Sequence, residues 1–350
     1  MTKTMSRATR RASQSVTIQT VAERAGVSAM TVSNVLNNRH NVRATTREAV
    51  IAAARELGYM PNLAARSLAS AATIRIGLFS RNLDSGFLSS ILSGALEETS
   101  ESGAQLVMRR FEAPKLDELI ASAEALRATG IGAIISPPPY CELISDHCAP
   151  GAFPLPLVAI SPGDELPGIP GVRIDDRAAA REMTAYLISL GHTRIGFIRI
   201  GSRLHADKTR YEGYRDALTN AGIIAQPEMV ASANLTYESG LAAANELLAI
   251  SPRPTAIFAS NDEIAAAIVS VAHRMGIDIP GQLSVAGFDD GPLALKIWPT
   301  LTTIRQPVTQ IAAMAARRAI GIVTSGEVDP QVTYLDHQLI IRESTARPGE

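Results

Sequence analysis

Apolar positions along this chain follow two rhythms, and the change between them near residue 73 divides it. Between Thr17 and Asn38 they recur at helical spacing, with Val21, Val27, Val32 and Leu36 on a common side. Thr17 can cap a first helix, Ala22 and Ala25 are small enough for a close crossing, Gly26 suits a left-handed stop and Ser28 can cap a second helix. This predicts two short helices around a tight turn, with Ala29, Met30, Ser33 and Asn34 facing outward. A helix-turn-helix offers its second helix to the DNA major groove in this way, but an ordinary αα-hairpin shares the pattern. Arg43 to Leu57 predicts a third helix with Val50, Ala54 and Leu57 on one face and Gly58 as its stop. Pro61 then breaks the chain, and Asn62 can cap about two further turns ending at Leu68.

From Ile74 the pattern alternates short apolar runs with helical stretches. RIGLF, AQLVMRR, GIGAIIS and PLVAI read as buried strands, with FLSSILSGALEETSESG and LDELIASAEALRATG as helices between them. The cycle restarts at GVRIDD and continues through RIGFIRI, EMVAS, AIFAS and LSVAGF. Such alternation implies parallel sheets covered on both faces, and two cycles imply two similar α/β subdomains.

Charge sharpens the division. Residues 1–72 hold ten Lys/Arg against three Asp/Glu, whereas the remainder holds 23 against 31, although the whole chain is only −1. A basic helical head on an acidic body suits a nucleic-acid-binding module joined to a sensor. A solvated tail explains residues 3–11 well, but fits poorly for Arg24, Arg39, Arg43, Arg47, Arg55 and Arg66, in or beside the predicted helices. At 350 residues and 46% apolar content the chain suits two or three domains, with no apolar run long enough for a membrane span. Residues 1–15 lack the apolar region of an export signal, and two cysteines are too few for a disulfide framework, so a cytoplasmic location is expected.

The motifs VAERAGVSAMTVSNVLN, TREAVIAAARELGYMPN, ARSL, LGHTRIGFI, RYEGYRDAL, PTAIFASNDEIAAA, LSVAGFDD, LTTIRQP and LIIREST follow one another over nearly all of the chain from about residue 16. In that order they resemble the LacI/GalR family of bacterial transcription regulators. The resemblance implies an all-α helix-turn-helix head with a hinge helix, followed by a periplasmic-binding-protein-like type I α/β body of two parallel-sheet subdomains. The expected layout is a disordered basic tail (1–15), a DNA-binding domain (16–61), a hinge (62–72) and an effector-binding and dimerisation domain (73–345). Its N-lobe would comprise 73–172 with 305–332, and its C-lobe 173–303 with 333–345, the chain crossing near Val172, Ile304 and Thr333.

The same resemblance places Ala29, Met30 and Asn34 at base-reading positions, with Ser33 beside them. Many relatives carry Arg where this chain has Asn34; Arg commonly reads guanine, whereas Asn prefers adenine, so a relative's operator need not transfer. Thr17, Ile18, Ser28, Thr31, Asn37, Thr46, Tyr59 and Asn62 fall at phosphate-contact or positioning places. Leu68 would wedge a central base step from the minor groove, and the small Ala65 would let the hinge approach. Phe87, Arg210, Asn261, Asp289 and Gln306 match effector-binding positions at strand carboxyl ends. Asn261 or Asp262 equally suits a helix cap, Asp290 a turn, and Phe87 the core.

The expected partners are palindromic double-stranded operator DNA, a second copy of the chain and a small-molecule effector. IISPPPYC, DDRAAAREMT and IWPTLTTIRQP are similar to a carbohydrate-related branch of the family, favouring a sugar or sugar phosphate over a purine or nucleoside. No cofactor or metal is expected: Cys141, His147 and Cys148 lie close in sequence but make a poor metal set, and His192 reads as structural. An exported solute-binding protein would share the body but not the basic head. An enzyme would need a nucleophile, phosphate-loop or zinc motif that this chain lacks. Trp298 suits either the cleft or lobe interface or a packed loop.

Overall fold

The computed structural model describes residues 17–36, 42–59, 73–81, 86–201 and 204–349. The chain divides at Thr73 into two units. In the first, α1 (Ile18–Ala25), α2 (Ala29–Leu36) and α3 (Ala44–Glu56) close around Val21, Val32, Val35, Val50 and Ala53. Thr17 forms a reciprocal cap with Thr20, each side chain taking the other's main-chain N–H. Gly26 ends α1 at φ 65°, a conformation that a side chain would strain, so the turn to α2 needs no more residues. Ser28 Oγ accepts the Thr31 N–H at 3.1 Å and starts α2.

The second unit holds two six-stranded sheets. Its elements, in order, are β1 (Arg75–Ser80), α4 (Gly86–Glu101), β2 (Gln105–Arg110), α5 (Leu116–Ala128), β3 (Ala133–Ser136), α6 (Tyr140–His147), β4 (Leu157–Ile160) and β5 (Gly171–Arg173). They continue through α7 (Asp176–Ser189), β6 (Ile195–Arg199), α8 (His205–Asn220), β7 (Val230–Ser232), α9 (Tyr237–Leu248), β8 (Ala256–Ala259), α10 (Asp262–Arg274) and β9 (Ser284–Asp289). The last are β10 (Thr302–Arg305), α11 (Val308–Ser325), β11 (Val332–Tyr334) and β12 (Gln338–Ile340). The first sheet runs β11-β5-β4-β3-β1-β2, the second β12-β10-β9-β8-β6-β7, and every pairing is parallel except β10 with β12.

Near-continuous apolar strands such as AIIS, LVAI and AIFA are fully buried, as covered parallel sheets require. In the second lobe Phe197 stacks on Tyr214 at 4.9 Å and meets the edge of Phe258 at 5.3 Å. Strand order reverses between β1 and β3 and again between β6 and β8, which opens a crevice at the carboxyl ends of each sheet.

The chain passes between the two sheets after β5, β10 and β11. β5 belongs to the first sheet through Arg173, β10 to the second through Arg305, and β11 to the first through Tyr334. The second lobe also runs beyond 345, since the Ala346 N–H donates to Ser284 Oγ at 3.0 Å. Among the described residues no helix is long and apolar enough to cross a membrane.

Candidate functional site

In the head, α2 turns Met30 to solvent at 70% exposure, with Ser33 and Asn34 half-buried beside it. Ala29, expected outward, is half-buried against the head's core, because the short turn brings the first residue of α2 onto α1. Ile18 and Tyr59 also pack on this core, and Tyr59 is fixed by its N–H to the Ala54 carbonyl at 2.9 Å. Ser28 and Thr31 share a hydroxyl contact at 2.9 Å, and Thr17 is exposed while Thr46 is half-buried. Arg43 and Arg55 are exposed, whereas Arg24 pairs with Glu56 at 2.6 Å. Asn37, Asn62, Ala65 and Leu68, with Arg39, Arg66 and the expected hinge helix, lie outside the described residues.

In the body, the carboxyl ends of the second sheet bring Arg210, Asn261, Asp289 and Gln306 into one neighbourhood. Arg210 projects from α8, donating Nε to Asp176 at 2.7 Å and Nη1 to the Ser260 carbonyl at 2.6 Å. Its guanidinium lies 3.6 Å from the centre of the Phe288 ring. The carboxylate that pairs with Arg210 is Asp176, which faces it from α7. Asp289 instead accepts from the Gln306 amide at 2.7 Å and adopts φ 110°, uncommon for a residue with a side chain. Burial pushes the Asp289 carboxyl up to about 6, opposed by the nearby Arg210 and the Gln306 hydrogen bond.

Asn261 caps α10, its Oδ1 taking the Ile264 N–H at 2.9 Å, so the cap alternative holds for one end of its amide. Asp262 accepts from the Thr303 hydroxyl at 2.7 Å and the Gly291 N–H at 2.8 Å. Burial, then the charge of Asp289, holds its carboxyl well above the usual range. Asp290 is a turn residue at φ 55° that binds Arg305 and Arg342, each at 2.6 Å. Phe87 belongs to the opposite lobe, half-buried against the main core at the start of α4. Trp298 is 73% exposed, so its side chain is not packed into the loop that carries it.

The two lobes touch beside this cluster. Glu142, from α6, accepts the Gly163 N–H at 2.9 Å and the His205 N–H at 3.1 Å. Burial raises its carboxyl, against the hydrogen bonds from Gly163 and His205. Gly163 approaches α8 so closely that a Cβ there would meet the Ala206 nitrogen at 1.8 Å, and Thr209 donates to the Gly163 carbonyl at 3.1 Å.

Sequence reasoning missed Asp176 and Glu142. Asp176 was hidden behind Asp175, the actual cap of α7, whose carboxylate takes the Ala178 N–H at 2.9 Å. A second acid at a helix start was the available signal. Nothing local marks Glu142, because its partners are 21 and 63 residues away. His192 is structural as expected: Nδ1 meets Thr255 Oγ1 at 2.9 Å and Nε2 meets the Ala346 carbonyl at 2.9 Å.

Known proteins share both units. Residues 17–62 match the model of bacterial regulatory proteins of the lacI family, and 184–345 that of a periplasmic binding protein-like domain. Catabolite control protein A of Priestia megaterium is 31% identical over 333 residues, covering 94% of this chain and 99% of that one. The crystal structure of the lac repressor dimer bound to operator and the anti-inducer ONPF superposes with a TM-score of 0.71 at 26% identity, over 95% of this chain and 100% of that one. A transcriptional regulator CelR–cellobiose complex gives 0.69 at 28% identity, over 94% and 99%. With its capped head, its paired sheets and a relative of this similarity along almost its full length, the chain belongs to the lacI family of bacterial regulatory proteins.

Proposed function

We propose that this regulator binds a palindromic operator as a homodimer in the cytoplasm and that a sugar in the inter-lobe cleft controls its grip. The observation that carries the reading is the Arg210 cluster. A buried guanidinium is fixed by Asp176, Ser260 and Phe288 beside Asp289 and Gln306, at the strand ends where parallel sheets hold ligands. So many polar groups gathered in a crevice are costly to bury unless something completes their hydrogen bonding. CelR, seen with cellobiose, and the lac repressor, seen on operator, support the two halves of the reading.

In this reading Met30 and Asn34 read base edges, with Ala29 and Ser33 beside them. Thr17, Ile18, Ser28, Thr31, Asn37, Thr46, Tyr59 and Asn62 position the head on phosphates, and Ala65 and Leu68 serve the minor groove. Phe87, Arg210, Asn261, Asp289 and Gln306 contact the effector. Exposed Met30 offers an apolar surface to a thymine methyl, and Asn34 offers a bidentate amide to adenine.

The test is selection of bound duplexes from a random DNA pool, followed by anisotropy titration with and without each member of a panel of sugars and nucleosides. Enriched palindromes whose affinity changes with a sugar support the reading. Binding without sequence enrichment, or a response confined to nucleosides, defeats it.

A further inference from the structure

Among the described residues four α-helices start in the second lobe, and three of them carry their own cap. Asp175 accepts the Ala178 N–H at the start of α7, Thr236 the Ser239 N–H at α9, and Asn261 the Ile264 N–H at α10. The fourth, α8, begins after Leu204, whose side chain has no acceptor to offer. Leu204 has the extended backbone of a capping residue, φ −110° and ψ 131°, but its side chain packs on the core of the second lobe.

We infer that Glu142 is the cap of α8, supplied by the opposite lobe, so that the helix carrying Arg210 is completed only where the two lobes meet. The Glu142 carboxylate, 1% exposed, accepts the His205 N–H, the first of the helix, at 3.1 Å. Its other oxygen accepts the Gly163 N–H at 2.9 Å. Gly163 in turn lies against the same helical turn: a Cβ there would collide with the Ala206 nitrogen, so only glycine lets this loop come so near. The Gly163 carbonyl accepts from the Thr209 hydroxyl at 3.1 Å and from Arg173 Nη2 at 2.8 Å. The His205 ring stands 3.3 Å from Asp146, which is also on α6. First-lobe groups thus hold α8 at His205 and at Thr209, the residue before Arg210. The buried carboxylate also faces the positive end of a 16-residue helix, where negative charge is favoured. Glu142 is therefore a positioning residue, acting on Arg210 through the helix and not by contact.

Hydrogen–deuterium exchange of the full-length protein tests this. In Glu142→Ala, amides in 205–210 are expected to exchange about two- to thirtyfold faster than in wild type, the range that loss of one cap produces. The starts of α9 and α10, with caps of their own, are expected to keep their wild-type rates. Glu142→Gln, which keeps an acceptor but not the charge, is expected to show the same local pattern at smaller size. Leu204→Ser gives α8 a hydroxyl that can accept the Asp207 N–H, and in the Glu142→Ala background it is expected to slow exchange at 205–210 again. Leu204→Ala in that background removes the same apolar side chain without adding an acceptor, and is expected to recover nothing. Three outcomes overturn the inference: unchanged exchange at 205–210 in both Glu142 variants, faster exchange spread equally over α9 and α10, or equal exchange in the two Leu204 variants. Neither DNA nor a small molecule enters the measurement, so the operator and effector readings stand or fall separately.

Discussion

The Glu142 carboxylate, carried by the first lobe, accepts the main-chain N–H of His205 in the second lobe at 3.1 Å while its other oxygen holds Gly163. His205 reaches back, with Nε2 3.3 Å from Asp146, and Thr209 binds the Gly163 carbonyl. One buried side chain thus joins the loop after β4 in the first lobe to the start of α8 in the second.

Glu142→Ala leaves two buried N–H groups without acceptors, at a cost of about 1–3 kcal/mol. Glu142→Gln keeps one good acceptor and should lose less. Denaturant unfolding gives the cost, and amide exchange locates it: the Gly163 and His205 amides should exchange faster in Glu142→Ala than in wild type. Equal protection of both amides would mean that the carboxylate does not hold the lobes together.

Two buried groups should push stability in opposite directions with pH. Burial raises the native Asp289 to about 6 from an ordinary 3.8, so the native state binds the extra proton between those values. Stability from this group is therefore full below about pH 4 and declines as pH rises through 6, by roughly 2–3 kcal/mol before allowance for its partial exposure. His192 has the opposite sign. Burial lowers it from 6.5, against the Ala346 hydrogen bond, so its contribution is present above 6.5 and is lost as pH falls below that value. Unfolding measured across pH 4–7 should lose its Asp289 slope in Asp289→Asn and its His192 slope in His192→Gln. A pH profile unchanged in both variants would refute the assignment.

The head separates positioning from reading. Ser28→Ala removes the cap of α2, which should cost about 0.5–2 kcal/mol of stability and weaken binding to all duplexes alike. Asn34→Ala should leave stability nearly intact but relax preference at one base pair by about 1–3 kcal/mol. Competition binding on the selected site and its single-base variants distinguishes the two. If Asn34→Ala weakened every duplex equally, Asn34 would not be a base-reading residue.

The fold was legible because its signals are local. Thr17, Gly26 and Ser28 stand where helices must start and stop, and runs such as AIFA have no place but a covered sheet. Arg210, Asn261, Asp289 and Gln306 were legible through motifs flanking strand ends. What stayed hidden depends on the long-range partner. Which carboxylate would face Arg210 depends on how α7 packs against α8, and neither helix encodes that alone. Trp298 shows the same limit, since Trp-Pro in a loop reads equally as cleft, interface or packing until its exposure is known.

That exposure leads to the last prediction. Trp298 and Leu295 are 73% and 62% exposed, although Ala294 in the same turn is fully buried and fixes the segment against the second lobe. Large apolar side chains on a rigid base are unfavourable in water and are typical anchors for a protein partner. A head this small makes too few base contacts for tight specific binding, so palindrome reading requires two copies. Trp298→Asp and Leu295→Asp should each raise the dimer dissociation constant by at least about tenfold, as judged by sedimentation velocity over a dilution series. Operator affinity should fall in parallel and recover at higher protein concentration, because dimerisation and not the head is damaged. Dimers as tight as wild type in both variants would assign the pairing surface to another face of the body.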